Sequence, residues 1–318
     1  MICEESKLII INYVLFNIYG SFMKFKLVPI CFGMLMLLLV TSCNDSTTTP
    51  APEKDPDAYT NANGINGGIL FDKFWSVESG FDQANPNIAK LNASSDFFRC
   101  KQCHAWDLLG RNGSYNNRAP KTNRPNIADR NLRTTAKNLS AQALFNAIKN
   151  GINTPRRDIS ADLSGYNPAT NATVGDQMPK FSQILTDAQI WNLVKFLKVE
   201  ALDVTQLYDA TYSGTYPTGT SVYSNIGKDG DAAVGLEFYK AKCQVCHGVD
   251  GKQIANLDAT PGMTTGKFVR SKPNELQHKI KFGQLGTIAP LDMKATPGTI
   301  TDFKNLYKVL ADVVLFPN

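Results

Sequence analysis

Two stretches of the chain carry the apolar periodicity of an amphipathic helix. Ile190, Leu193, Val194 and Leu197 fall at i, i+3, i+4 and i+7, and Phe303, Leu306, Tyr307 and Leu310 repeat that spacing. Each set therefore lines one face of a helix. Thr186-Asp187 and Thr301-Asp302 supply the hydroxyl and carboxylate that start helices. A shorter pair matches position for position: Leu144, Ile148, Lys149 and Gly151 recur as Leu276, Ile280, Lys281 and Gly283. Both read as a short helix closed by glycine.

Elsewhere the pattern lapses in informative ways. Ile152 to Gln177 is loop-like, rich in Asn, Pro, Gly and Thr, and Asp203 to Asp229, with its Gly-Thr-Tyr-Pro-Thr-Gly run, reads as a linker. Leu27 to Val40 is a continuous apolar run, too short for a membrane-spanning helix. Asn44 to Asn63 has almost no apolar periodicity and is rich in Thr, Pro, Asp and Asn, the composition of a flexible tether. The expected organisation is a leader over 1–42, a tether over 43–63, a folded domain over 64–205, a linker over 206–229 and a second domain over 230–318.

Composition agrees with two cores. At 318 residues and 43% hydrophobic the chain has material for about two domains, and 19% charged residues argue against a highly charged disordered protein. A net charge of +5 is small for this length and gives no reason to expect a nucleic-acid partner. Three histidines are too few for a His-rich catalytic metal site. Seven cysteines leave a disulfide framework open until their positions are considered.

The apolar run sits behind a basic head, Met23-Lys24-Phe25-Lys26, as in a signal peptide. Residues 1–22 lack such a head, so Met23 is the expected true start. Val40-Thr41-Ser42-Cys43 resembles the bacterial lipobox, in which the cysteine is lipidated and becomes the mature N-terminus. That resemblance implies a lipoprotein anchored through Cys43 on the extracytoplasmic, periplasmic side of a bacterial membrane, inner or outer.

Four other cysteines form two pentapeptides, Cys100-Lys101-Gln102-Cys103-His104 and Cys243-Gln244-Val245-Cys246-His247. C-x-x-C-H is the attachment signature of c-type haem. Two residues in a tight helical turn set the thiols against the two porphyrin vinyl groups, giving two thioethers, and the adjacent imidazole binds iron as proximal ligand. Zinc would use four soft ligands from two cysteine pairs and leave both histidines as coincidence. A thioredoxin-like role would need a βαβ context, which neither copy has. Composition alone would yield even one such pentapeptide on the order of once in a thousand chains of this kind.

With these motifs the chain resembles a tandem of class I cytochrome c domains, over residues 64–205 and 230–318. GLEFYKAKCQVCHGVDG, from Gly235 to Gly251, is similar to the family's first helix and haem turn. DQMPKFSQILTDAQIWNLVKFLK, from Asp176 to Lys198, is similar to its axial-methionine loop and last helix. FRCKQCHAWDLLG, carrying Trp106, resembles a di-haem subgroup. The resemblance implies an all-α fold of two small helical domains, each around one covalently attached haem c, with the last helix packed on the first. Those first helices would hold Leu70, Phe71, Phe74 and Trp75, or Leu236, Phe238 and Tyr239. It makes His104 and His247 the proximal ligands and Met178, in Met178-Pro179, a sixth ligand whose soft thioether favours reduced iron.

The sixth ligand of the second haem stays open among four readings. Met293 lies eight residues before Thr301, as Met178 lies eight before Thr186, but the slot before a proline is Ala289-Pro290. Met263 is 16 residues past His247, and His278 aligns with Asn146 and reads as a helix-surface residue. The fourth reading is an open iron. Arg156, Arg157 and Asp158 read as a solvated loop, with a haem propionate or a partner as the alternative, and Trp106 as haem-side packing.

The expected function is a lipid-anchored electron carrier with two haem c groups rather than a catalyst with its own substrate. Its partners would be other redox proteins: cytochromes, a dehydrogenase, or a terminal reductase or oxidase. The alternatives are a di-haem oxidoreductase and a cytochrome subunit of a larger complex. Once Cys43 and the four motif cysteines are assigned, only Cys3 and Cys31 of the leader remain, so no disulfide framework is left.

Overall fold

A computed structural model describes residues 55–73, 99–113, 130–152, 156, 158–159, 178–215, 219–283 and 295–318. The leader with Cys43, the segment holding Phe74 and Trp75, Arg157 and Met293 lie outside these residues. The described helices are α1 (Asp57–Thr60), α2 (Gly64–Lys73), α3 (Cys100–His104), α4 (Leu132–Asn138), α5 (Ala141–Lys149), α6 (Asp187–Lys195), α7 (Ala232–Lys242), α8 (Gln244–His247), α9 (Thr265–Ser271), α10 (Pro273–Phe282) and α11 (Ile300–Leu310). A π-turn, Phe196–Glu200, prolongs α6. No helix among the described residues is long and apolar enough to cross a membrane.

Each half is built on a crossing of its first and last long helices. In the N-terminal half α2 lies on α6, and a Cβ added at Gly67 would run into the Asn192 carbonyl. The Asn192 side chain accepts a hydrogen bond from the Asn63 N–H at 2.8 Å. In the C-terminal half α7 lies on α11, and Gly235 meets the Asn305 carbonyl in the same way. Asn305 accepts from the Asp231 N–H at 2.8 Å. The predicted stripes face inward: Ile190, Leu193, Val194 and Leu197 line one core, Phe303, Leu306, Tyr307 and Leu310 the other.

The N-cap of α11 differs from the expected one. Thr299, not Thr301, accepts from the Asp302 N–H, and the Asp302 carboxylate accepts back from the Thr299 N–H. Thr186 and Gln189 form the matching capping box on α6. This removes the two-residue offset between the halves, since both apolar stripes now begin four residues after the cap.

Parts of two stretches read as unstructured are folded. Within the span read as a tether, α1 is packed on the first core, with Tyr59 buried against Trp191, ring centroids 6.3 Å apart, beneath the Lys195 ammonium. The linker carries an antiparallel hairpin, β1 (Asp209–Ser213) and β2 (Thr220–Ser224), with Thr211 opposite Val222. The described residues are thus mostly helical, and among them this hairpin is the one sheet that departs from an all-α architecture.

Helix α10 joins the halves. Every residue in it except Glu275 is buried, because its outward face lies on the N-terminal half. Phe282 sits over Gly68 of α2 and belongs to the first core. Gln277 donates to the Trp106 carbonyl at 2.8 Å, and Lys281 donates to the Glu200 carbonyl at 2.6 Å while pairing with the Glu200 carboxylate. His278 is therefore no helix-surface residue. It is 1% exposed, ringed by Phe71, Trp106, Phe196 and Phe282, with Nε2 hydrogen-bonded to the Gly68 carbonyl at 3.0 Å.

Burial depresses the His278 imidazole from 6.5 to about 3, the Gly68 bond opposing and Lys101, Arg99 and Lys279 adding to the depression. The unfolded chain takes up a proton below pH 6.5 that the folded chain refuses, so stability is lost as pH falls from 6.5 toward 3. His278→Gln removes this titration while keeping a donor near Gly68. Urea unfolding at pH 4.5 and 7 should show a smaller pH effect in the variant, by up to about 1.4 kcal/mol per pH unit.

Candidate haem sites

The first C-x-x-C-H forms the short helix α3, anchored at both ends. Before it, Arg99 forms a buried ion pair with Asp72 at the end of α2. After it, the Gly110 N–H donates to the His104 carbonyl at 3.0 Å, and the buried Asp107 carboxylate accepts from the Leu109 N–H and Asn112 side chain. Burial pushes the Asp107 carboxyl upward. Asn112 in turn accepts from Ser221, so the hairpin braces the haem-turn loop.

Cys100, Cys103 and Met178 all border the first apolar core. The structure thus brings three of the predicted sulfur groups to one apolar region although 75 residues separate Cys103 from Met178. Burial and the adjacent Cys103 push the Cys100 thiol up to about 12. The His104 imidazole is pulled down to about 4 by burial and then by Arg156. Its Nδ1 is buried with no hydrogen-bond partner among the described residues.

Arg156 itself donates to the Ala147 carbonyl at 2.7 Å, and Asp158 accepts from Gln183 at 2.7 Å. Part of the loop read as solvated is therefore pinned to α5 and to the turn before α6. Trp106 is 8% exposed and packs 4.8 Å from the His278 ring, so it faces the other half.

The second C-x-x-C-H follows α7 directly. The Cys246 and His247 N–H groups both donate to the Cys243 carbonyl, which closes the turn as α8. Tyr239, fully buried on α7, donates its hydroxyl to the Gly248 carbonyl at 2.7 Å. Cys243 borders the second core, with its thiol pushed up to about 11 by burial, whereas Cys246 is exposed. Val245 and Val249 stand exposed beside it, 83% and 74%. Nδ1 of His247 lies 3.2 Å from the Thr265 hydroxyl, a contact that no sequence motif announced.

The alternatives for the second sixth ligand fare differently. His278 is engaged at the junction of the halves, through Gly68. Met263 is buried in the second core, its sulfur accepting from the Ser271 hydroxyl at 3.8 Å. Met293 lies outside the described residues, and the corrected cap bears on it. Measured from Thr299 it is six residues before the helix, not the eight that separate Met178 from Thr186.

The donor sets fit haem c. The first turn presents two thiols and a neutral imidazole at the border of its apolar core, and the second presents Cys243 at its core's border with Cys246 exposed beside it; two thiols and an imidazole are the donors that a porphyrin with vinyl groups and an iron requires. Among the described residues no three His, Cys, Asp or Glu side chains gather as a metal site, so the two cysteine pairs do not converge on one centre.

Residues 92–199, about a third of the chain, match the cytochrome c family; the match supports a haem-binding electron-transfer protein with covalently attached haem c and redox proteins as partners. No curated protein and no solved structure matches the chain.

The Tyr239 hydroxyl holds the second turn against α7. Tyr239→Phe leaves the Gly248 carbonyl without its buried donor, and urea denaturation should show a loss of about 1 kcal/mol.

Proposed function

We propose that this chain is a membrane-anchored di-haem c-type cytochrome that passes electrons between extracytoplasmic or membrane redox partners. The observation that carries the reading is the structural repeat. Each half crosses its first and last helices through a glycine beneath an asparagine carbonyl, and each adds a C-x-x-C-H turn at the edge of the resulting core. Two tandem class I cytochrome c domains account for both copies, and the family match over residues 92–199 supports the first.

Bound haem supplies a one-electron iron couple in a low-dielectric setting. Cys100 and Cys103, and Cys243 and Cys246, anchor the two groups, with His104 and His247 as proximal ligands. Met178 provides the sixth ligand of the first and Met293 that of the second. The protein's own work is to exclude water, orient the imidazoles and hold the two sites in one body through α10. Cys43 carries the lipid, placing the molecule on the periplasmic side of a bacterial membrane, with cytochromes, a dehydrogenase or a terminal reductase or oxidase as partners.

One observation favours a second reading. The observed Thr299 cap takes away the register that put Met293 level with Met178. An open second iron would admit a small ligand and make the protein an oxidoreductase or the cytochrome subunit of a larger complex.

A redox titration followed by optical and paramagnetic-resonance spectroscopy separates these readings. The carrier predicts two low-spin haems that do not take up carbon monoxide, and Met178→Ala should convert one of them to a high-spin, carbon monoxide-binding form. A wild-type protein in which one haem is already high-spin and binds carbon monoxide would overturn the carrier reading in favour of the open site.

A further inference from the structure

We propose that Thr265 is a positioning residue that orients and electronically tunes His247, and that it does so in one half only. The inference rests on the reading that Cys243–His247 holds a haem. Thr265 is 6% exposed and is the first residue of α9. Contacts of Thr265 and of its two chain neighbours fix it before it meets the imidazole. Its N–H donates to the Gly251 carbonyl at 3.1 Å, four residues past His247. The preceding Thr264 caps α9 through the Lys267 N–H and donates its hydroxyl to the Pro317 carbonyl at 2.9 Å. The following Gly266 lies so close beneath Phe316 that a Cβ would strike the Phe316 carbonyl. The C-terminal segment and the haem-turn loop thus clamp the start of α9, and the Thr265 hydroxyl is held 3.2 Å from Nδ1 of His247.

An imidazole that gives its Nε2 lone pair to iron carries its proton on Nδ1. Nδ1–H then donates to the Thr265 oxygen, which fixes the tautomer and the ring plane and raises the basicity of the ligating nitrogen.

The N-terminal half repeats the backbone arrangement without the hydroxyl. The Leu132 N–H, at the first position of α4, donates to the Leu108 carbonyl at 2.8 Å, and Leu108 lies four residues past His104. Leu132 therefore occupies the place of Thr265, and a leucine accepts nothing. In agreement, Nδ1 of His104 is buried with no hydrogen-bond partner among the described residues. Near-identical turns are thereby given different imidazole donors, which makes the two haems electronically unequal.

The test uses the full haem-loaded protein with Thr265→Val, Thr265→Ala and Thr265→Ser, read by redox titration and paramagnetic resonance. Thr265→Val should raise the midpoint potential of one haem and change its g-anisotropy while leaving the other haem in place. Thr265→Ser, which keeps the hydroxyl, should restore both values toward wild type. If valine does not accumulate as a folded protein, alanine must give the same one-haem shift. Two haems that keep wild-type potentials and g-values in valine or alanine would overturn the inference, as would a serine variant shifted as far as valine. A wild-type protein lacking haem at Cys243 and Cys246 would instead overturn the di-haem reading, and the inference with it.

Discussion

In each half a glycine on the first helix lies directly beneath the backbone carbonyl of an asparagine on the last. Gly67 meets Asn192 and Gly235 meets Asn305, and any side chain there would drive the helices apart. The asparagine side chains complete the contact by accepting from the Asn63 and Asp231 N–H groups at the starts of α2 and α7. Close approach brings Leu70, Phe71, Ile190 and Val194 together in one core, and Tyr239, Phe303 and Leu306 in the other. The C-x-x-C-H turns then emerge at the border of surfaces already assembled, so the crossing decides where thiols and imidazoles stand.

The second constraint is α10. A helix buried on nearly every side is an odd choice for a short connector, and here it serves both cores at once. Ile280 and Leu276 complete the second, while Phe282 enters the first. Four of the polar side chains that this burial traps have partners: Gln277 in the Trp106 carbonyl, His278 in Gly68, Lys281 in Glu200 and Lys279 in Glu275 and Asp258. Buried cations are tolerated only with such partners, which makes this face specific rather than adhesive.

Much of this was legible in the sequence because helix periodicity and haem-attachment spacing are local properties. The stripes at 190–197 and 303–310 were readable from residue spacing alone, as was the closing glycine of α10. The cap of α11 was misread because Thr299 and Thr301 offer the same chemistry, and only backbone conformation chooses between them. The repeat could have chosen: Asn192 follows Thr186 by six residues, and Asn305 follows Thr299 by six. His278 was misread because its burial depends on a surface from another part of the chain, which α10 does not encode in its own periodicity. Thr265 left no signal, since a hydroxyl acquires its role only when folding sets it beside His247.

The claim on which the account turns is that both C-x-x-C-H turns carry haem. Intact mass measured on denatured, full-length protein, together with peptide mapping of the two turns, tests it most directly. Two covalent haem additions are expected, one on the peptide with Cys100 and Cys103 and one on the peptide with Cys243 and Cys246. A protein matured alongside an active haem-attachment system that carries a single addition, with Cys243 and Cys246 unmodified, would contradict it.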